Sequence, residues 1–176
     1  MRQVVLYIAT SLDGYIAKEN GDTNFLKSVE NRGEDYGYRN VIKTVDTVIM
    51  GRKTYEKIQS FGINFPHTDK KCYVLSKSKT GKDENVEFYG GSITKLISGI
   101  RKKKGLNIFI DGGSETILSL IKQNLIDNFI ISVIPVLLGG GIPLFKSGFQ
   151  EQKLKLVKCI PFKSGLVQLW YDRKIK

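Results

Sequence analysis

Residues 107–116 read N-I-F-I-D-G-G-S-E-T and join a short apolar run to a helical pattern. The run ends at Asp111, two glycines follow at Gly112 and Gly113, and helical spacing begins at Thr116. A strand that passes through so tight a turn into a helix leaves free backbone N–H groups at the N-terminus of that helix. Anions, above all phosphates, bind such groups. The stretch therefore predicts a strand–turn–helix unit that binds a phosphate-bearing ligand.

Strand-like and helical patterns alternate along the chain. Strands are predicted at residues 4–9, 47–50, 72–75, 86–89, 108–110, 128–135, 153–159 and 166–172, and helices at residues 34–43, 54–59, 93–101 and 116–123. This alternation favours an α/β fold with a mostly parallel central sheet. The last two strands have no helix between them, so they should be antiparallel. A single domain over residues 1–176 is expected, and residues 11–17 are expected to form a loop.

Composition leaves two classes of ligand open. The chain has 28 basic and 17 acidic residues and a formal net charge of +11, which suits either a nucleic acid or an anionic small molecule. The densest basic run, residues 101–104, ends a helical pattern just before Gly105. Because cations are favoured in the last turn of a helix, this run is better explained by helix stability than by nucleic-acid binding.

Hydropathy and cysteine spacing indicate a cytoplasmic protein. No apolar run approaches the length of a membrane span, and the run at residues 4–9 lacks the length and cleavage site of a signal peptide. Cys72 and Cys159 lie in separate strand-like segments without C-x-x-C spacing. They predict two partly buried thiols rather than a metal site or a disulfide.

Four predicted strand ends carry glycine or small polar residues. They are residues 51–54 (G-R-K-T), 76–78 (S-K-S), 90–92 (G-G-S) and 112–114 (G-G-S). If the strands are parallel, all four lie at one edge of the sheet, where α/β proteins bind ligands. Arg52, Lys53 and Lys77 add positive charge there, which suits a ligand with several phosphates. The alternative is that the glycines only make tight turns.

Two common nucleotide-binding motifs are missing from the sequence. Neither G-x-G-x-x-G after the first strand nor G-x-x-x-x-G-K-[ST] is present. The absence of the first disfavours the common dinucleotide-binding fold that carries this fingerprint, and the absence of the second disfavours a nucleoside triphosphatase. Glycines 139–141 precede Pro143 rather than a helix, so a structural turn is expected there.

Asp35 and His67 are single residues whose chemistry the pattern leaves open. Asp35 stands in the first turn of a predicted helix, ahead of Tyr36 and Tyr38. A carboxylate in a partly apolar cleft has a raised pKa and can hold a proton, whereas one at a helix N-terminus stabilises the helix, and position alone favours the second role. His67, the only histidine, stands in a turn-like stretch and is expected to be solvated, without a catalytic set around it.

Two families resemble this chain. Residues 48–56, V-I-M-G-R-K-T-Y-E, resemble the strand-plus-helix signature of dihydrofolate reductases. Residues 11–17 (S-L-D-G-Y-I-A), 111–116 (D-G-G-S-E-T) and 135–145 (P-V-L-L-G-G-G-I-P-L-F) resemble the reductase domain of bacterial riboflavin biosynthesis, the RibD C-terminal domain. The two families share a fold. The resemblance therefore implies a three-layer α/β/α dihydrofolate reductase-like fold, with NADPH as the hydride donor.

The resemblance also implies which residues bind NADPH. Gly51, Arg52, Lys53 and Thr54 would hold the pyrophosphate and the 2′-phosphate side, and Leu75, Ser76 and Lys77 would complete the 2′-phosphate pocket. Gly112, Gly113, Ser114, Glu115 and Thr116 would cover the pyrophosphate, and Ala9, Asp13, Gly14 and Ile16 would flank the nicotinamide. Dihydrofolate reductases join the paired glycines by a cis peptide, so a cis bond between Gly112 and Gly113 is predicted.

By the same resemblance, Asp35 takes the position of the substrate-binding acid of dihydrofolate reductases and is the candidate catalytic residue. The implied activity is NADPH-dependent reduction of a small heterocyclic, ribosylamino-pyrimidine or pterin-like substrate, of the dihydrofolate reductase or 5-amino-6-(5-phosphoribosylamino)uracil reductase type. Lys70 stands where folate enzymes carry an arginine, and the Asp-Asp-Pro stretch of riboflavin enzymes is missing, so the substrate stays open. The alternative is a non-catalytic NADP-binding sensor or stress protein of the same fold. Riboflavin-type domains pair through their late strands, which implies a homodimer.

Overall fold

A computed structural model describes residues 1–174, and the last two positions of the predicted domain lie outside the described residues. The strands are β1 (Val4–Ser11), β2 (Tyr15–Ala17), β3 (Val45–Gly51), β4 (Lys71–Leu75), β5 (Gly81–Lys82), β6 (Val86–Tyr89), β7 (Asn107–Gly112), β8 (Asn128–Ile134), β9 (Ile142–Pro143), β10 (Leu154–Pro161) and β11 (Val167–Arg173). The α-helices are α1 (Tyr38–Ile42), α2 (Arg52–Ser60), α3 (Ile93–Arg101) and α4 (Ser114–Lys122), and a 3₁₀ helix covers Asn24–Val29.

Nine of these strands form one sheet in the order β10-β11-β8-β1-β7-β3-β4-β6-β5. The six central strands, from β8 to β6, pair in parallel. At one margin β11 is antiparallel to β8 and β10 to β11, and at the other β5 is antiparallel to β6. The predicted mostly parallel sheet with antiparallel C-terminal strands is confirmed. Strand β5 was not predicted, because two polar residues give no apolar pattern.

Helices cover both faces of the sheet. Helices α3 and α4 bury Ile97 and Leu120 against Ile108 on one face. On the other face, α2 buries Tyr55 against Val48, and α1 packs beside it. Strands covered on both sides have no solvent-facing side, which explains why the parallel strands are continuous apolar runs rather than alternating ones. The predicted three-layer α/β/α fold is confirmed.

Two local predictions are wrong. The helix expected at residues 34–43 is reduced to α1, because Tyr36 and Gly37 adopt left-handed backbone conformations, with φ of 55° and 83°, just before it. The loop expected at residues 11–17 contains β2, which pairs with β9. That pairing joins segments more than a hundred residues apart, so the local sequence carries no sign of it. Within residues 1–174, no helix combines the length and the apolar character that crossing a membrane requires.

Candidate functional site

The register of the parallel strands brings the predicted turns to one edge of the sheet. Gly51 at the end of β3 is the partner of Leu75 at the end of β4. Leu75 is in turn the partner of Tyr89 at the end of β6, and Met50 is the partner of Gly112 at the end of β7. The four turns therefore stand side by side, and three of them open the helices α2, α3 and α4.

The first and last of these turns are in direct contact. A methyl group placed on Gly51 would lie 2.8 Å from Oγ1 of Thr116, and one placed on Gly113 would lie 3.3 Å from Oγ1 of Thr54. The peptide between Gly112 and Gly113 is cis, as predicted. Glycine at these two positions leaves room for the hydroxyls of Thr116 and Thr54, so each turn packs against the first turn of the other helix. A helix N-terminus without bulky side chains around it is a surface where backbone N–H groups are accessible.

Charged side chains surround the α2 side of this edge. The Arg52 guanidinium donates to Oε1 of Glu56 at 2.7 Å, a bond that uses one of its five N–H donors. Lys53 and Lys77 are exposed. The Ser76 hydroxyl is buried and accepts from the backbone N–H of Lys79 at 2.9 Å, so it shapes the turn after β4. This edge therefore combines exposed lysines and a guanidinium with unused N–H donors, beside turns that are fixed by their own hydrogen bonds.

Two side chains at the start of α4 are engaged elsewhere. The Ser114 hydroxyl donates to the carbonyl of Pro143, and Glu115 forms an ion pair with Lys146. The hydrogen bond from Lys146 lowers the pKa of Glu115. Among the described residues no side chain caps α4, and the first-turn N–H groups of a helix have no partner within it. The groups at this turn that are available to an anion are therefore backbone N–H groups rather than the Ser114 and Glu115 side chains.

The loop after β1 is fixed by Asp13. Its carboxylate accepts from the Ser11 hydroxyl at 2.6 Å and from the backbone N–H groups of Gly139 at 2.7 Å and Leu138 at 3.1 Å. The Ser11 bond is the main reason that the pKa of Asp13 is lowered, and the two N–H groups add to it. Asp13 therefore ties the loop that contains Gly14 to the glycine turn at residues 139–141.

A cavity of about 690 Å³ opens beside the end of β1. It lies between the sheet, the 3₁₀ helix and residues 30–38, and its lining includes Tyr7, Ala9, Asp35, Tyr38 and Ser132. Ile8 stands between Tyr7 and Ala9 on β1, and its Cδ1 would lie 3.8 Å from a methyl group placed on Gly112. The end of β1 therefore stands between this cavity and the Gly112–Gly113 turn.

Asp35 lines the cavity but does not hold a proton. Its carboxylate accepts from the backbone N–H groups of Gly37 at 3.0 Å and Arg39 at 3.1 Å. The Arg39 N–H makes the largest contribution to lowering the pKa of Asp35, and Gly37 adds to it. Of the two roles that the sequence left open, the structure matches the one that position favoured: the carboxylate stabilises the start of α1, and the N–H groups there lower its pKa rather than raise it. The side chain is a fixed negative group at the cavity.

His67 and the cysteines differ from the sequence-based expectation. His67 is 2% exposed rather than solvated, because the loop before β4 folds onto the α2 face and places the ring against Phe65. Its Nε2 lies 3.5 Å from Oδ2 of Asp111.

Cys72 is fully buried, and burial raises the pKa of its thiol to about 12. Cys159 is exposed on the edge strand β10. Within residues 1–174 no cluster of His, Cys, Asp or Glu could hold a metal.

A buried polar network on the cavity wall was missed altogether. It joins Tyr7 on β1, Ser132 on β8, and Gln168 and Trp170 on β11. Ser132 is 3% exposed and Gln168 is 1% exposed. A polar residue inside an otherwise apolar strand is the signal that could have found them, because such a group is buried only when it is hydrogen-bonded.

Comparison with known proteins gives a consistent result. The RibD C-terminal domain family matches residues 2–168. The uncharacterized protein YwjB of Bacillus subtilis (strain 168) is 46% identical over 173 residues, 98% of each chain. A putative riboflavin biosynthesis protein from Shewanella sp. PV-4 superimposes with a TM-score of 0.91 at 34% identity, covering 98% of this chain and 99% of that one. Dihydrofolate reductase from Enterococcus faecalis, complexed with NADP(H), gives a TM-score of 0.71 at 19% identity, covering 98% and 97%. The last likeness concerns the fold alone.

Proposed function

The chain belongs to the RibD C-terminal domain family, and from that premise we propose that it is a cytoplasmic NADPH-dependent reductase of a small heterocyclic, ribosylamino-pyrimidine or pterin-like substrate. Relatives by family and by fold are reductases. The observation that carries the proposal is the contact between the Gly51 and Gly113 turns next to a cavity at the end of β1. The two adjacent turns would bind the diphosphate of a dinucleotide at the N-termini of α2 and α4. The cavity would hold the ring of the substrate.

The residues at the sheet edge fit the parts of NADPH. Backbone N–H groups at the start of α2 and α4 would bind the diphosphate, with Gly51, Thr54, Gly112 and Gly113 giving close access. Arg52, with Lys53, Lys77 and the Leu75–Ser76 strand end, would take the 2′-phosphate, since arginine binds phosphate through two bonds. Ala9 and the loop that Asp13 fixes, with Gly14 and Ile16, would flank the nicotinamide, which supplies a hydride when NADPH is bound.

The cavity would bind the ring that accepts the hydride. Asp35 is a fixed anion there, so its carboxylate would accept a hydrogen bond from a ring N–H or amino group. Each of its oxygens already accepts one backbone N–H and keeps a further lone pair. We assign Asp35 to substrate orientation rather than to proton storage.

Asp35→Asn is expected to lower kcat/KM for such a substrate about tenfold or more, while the Kd of NADPH changes less than twofold. The amide has no charge and presents one acceptor atom in place of two. Steady-state NADPH oxidation and a separate NADPH titration would measure the two effects. Glu30→Gln is the matched control, because Glu30 is an exposed carboxylate on the same cavity. A collapse of NADPH affinity in Asp35→Asn would instead assign the residue a structural role.

The experiment that tests the activity is NADPH oxidation with a dihydropterin and with 5-amino-6-(5-phosphoribosylamino)uracil. Steady consumption of NADPH with either compound supports the reductase. Tight NADPH binding without turnover of any such compound would favour a non-catalytic sensor of the same fold.

We also propose a homodimer formed through β10. This strand is at the margin of the sheet, and Leu156 and Val157 on it are 51% and 48% exposed. Exposed apolar side chains on an edge strand invite pairing with another chain. Replacing both residues by lysine is expected to halve the molar mass measured by light scattering, whereas Lys155→Gln on the same strand should leave it unchanged. A wild-type protein that is already monomeric would contradict the dimer.

A further inference from the structure

Gln168 is the centre of the polar network on the cavity wall. The indole N–H of Trp170 donates to its Oε1 at 2.7 Å. This bond fixes which end of the amide is oxygen, because an amide nitrogen could not accept from the indole. The Nε2 end therefore faces Ser132 Oγ at 3.1 Å, the Tyr36 carbonyl at 3.0 Å and Tyr7 Oη at 3.2 Å.

The Tyr7 hydroxyl can donate its hydrogen bond to a ligand instead of to the protein. The amide of Gln168 has two hydrogens and three acceptors within reach. The Tyr7 hydroxyl donates to the Tyr36 carbonyl at 3.1 Å. That carbonyl also has the Gln168 N–H as a donor, so Tyr7 can turn its proton toward a ligand without leaving a buried carbonyl unpaired.

The carbonyl of Tyr36 is held rigidly. Tyr36 has a left-handed backbone, with φ of 55°, which a residue with a side chain adopts only when its surroundings enforce it. Its N–H donates to Oε1 of Glu34 at 2.7 Å, and its hydroxyl donates to Val29 and lies 2.9 Å from Ser164 Oγ. The acceptor that faces Tyr7 is thus fixed at the cavity before any ligand binds.

Tyr7 and Asp35 give the cavity two opposite hydrogen-bonding groups. Burial raises the pKa of Tyr7, and Ser132 and Gln168 oppose that effect only in part. Tyr7 therefore remains a protonated donor throughout the neutral range, while Asp35 remains an acceptor. Both residues line the same cavity.

From this geometry we propose that Tyr7 is a catalytic residue of the reductase, whose hydroxyl donates a hydrogen bond to the ring nitrogen or carbonyl oxygen next to the carbon that is reduced. Gln168 is its positioning residue, and Trp170 fixes the orientation of Gln168. The role rests on the proposed function, and it narrows the substrate to a ring that presents an acceptor toward Tyr7 and an N–H donor toward Asp35. Once the ring is bound and Tyr7 has turned toward it, the donor already points at the developing negative charge and lowers the barrier, because it needs no further reorganisation during the reaction.

Tyr7→Phe tests the donor with the smallest change in shape. We expect kcat with a dihydropterin or 5-amino-6-(5-phosphoribosylamino)uracil to fall about tenfold or more, with the Kd of NADPH within twofold of the wild type. Tyr171→Phe is the matched control, because Tyr171 packs against the core on the other face of the sheet. If the wild type reduces one of these compounds and Tyr7→Phe reduces it equally fast, the role of Tyr7 is overturned and the proposed function is not. A wild type that oxidises NADPH with neither compound would overturn the proposed function, and the role of Tyr7 with it.

Gln168→Glu tests the positioning role. A carboxylate at this position cannot donate to Tyr7 and would instead accept a hydrogen bond from the Tyr7 hydroxyl, which turns that hydroxyl away from the ring, so kcat should fall while KM for the ring substrate changes little. Trp170 is the only tryptophan of the chain, so its fluorescence emission should also shift when its hydrogen-bond partner changes. A shifted emission with unchanged kcat would show that the network is structural and would overturn the positioning role.

Discussion

Arg52→Ala is expected to weaken NADPH binding by roughly 10- to 150-fold, which corresponds to the loss of about 1.5–3 kcal/mol from a charged hydrogen-bonding partner. The binding of NADH should change far less, because NADH lacks the 2′-phosphate that Arg52 is assigned to bind. The guanidinium keeps four N–H donors beyond the one bonded to Glu56, enough for a bidentate contact. Titration of the wild type and the variant with both dinucleotides measures the difference.

Two further variants make the Arg52 result specific. Arg52→Lys keeps the charge but lacks the fork, so its loss of NADPH affinity should be intermediate. Lys57→Ala removes an exposed cation from the far end of the same helix and should leave both affinities unchanged. Equal losses of NADPH and NADH in Arg52→Ala would contradict the assignment of the 2′-phosphate.

Gly141→Ala is expected to lower the free energy of unfolding by about 2 kcal/mol or more, or the Tm by roughly 4–8 °C. Gly141 has a φ of 142°, and a methyl group there would overlap the backbone carbonyl of Ala17. Backbone cannot rotate away as a side chain can, so β2 and β9 would have to separate. Thermal unfolding followed by circular dichroism measures the loss.

The neighbouring glycine is the control for this prediction. Gly140 has no heavy atom within 4 Å of the position that a methyl group would take, so Gly140→Ala should change the Tm little. Because Pro143 on β9 accepts from Ser114, Gly141→Ala should also weaken NADPH binding. Similar melting temperatures for the two variants would show that the β2–β9 contact contributes little to stability.

The strand-end turns could be predicted because their signals are local. Apolar runs that stop at Gly51 or Gly112 and continue as helices identify parallel strands and their carboxyl ends, and the register confirms that these ends are neighbours. The cis peptide between Gly112 and Gly113 is also confirmed, but its prediction came from the resemblance to dihydrofolate reductases rather than from a local pattern. Glycines 139–141 were expected to form a structural turn, and the close approach of Gly141 to Ala17 supports this interpretation.

The chemistry of the cavity could not be predicted, because it depends on contacts between distant segments. Position favoured Asp35 as an acid that stabilises a helix N-terminus, but the left-handed turn that aims the N–H groups of Gly37 and Arg39 at its two oxygens has no sign in the sequence. His67 was expected in solvent, and its burial depends on how the loop before β4 packs. Tyr7 and Gln168 meet across 161 positions of sequence. Periodicity shows which residues share a face, but not which polar groups find each other there.

A crystal structure of the protein with NADP⁺ tests the central claim most directly. We predict the diphosphate at the N-termini of α2 and α4 beside Gly51 and Gly113, the 2′-phosphate on Arg52, and the nicotinamide between Ala9 and the cavity. A dinucleotide bound elsewhere, or one whose 2′-phosphate is distant from Arg52, would contradict it.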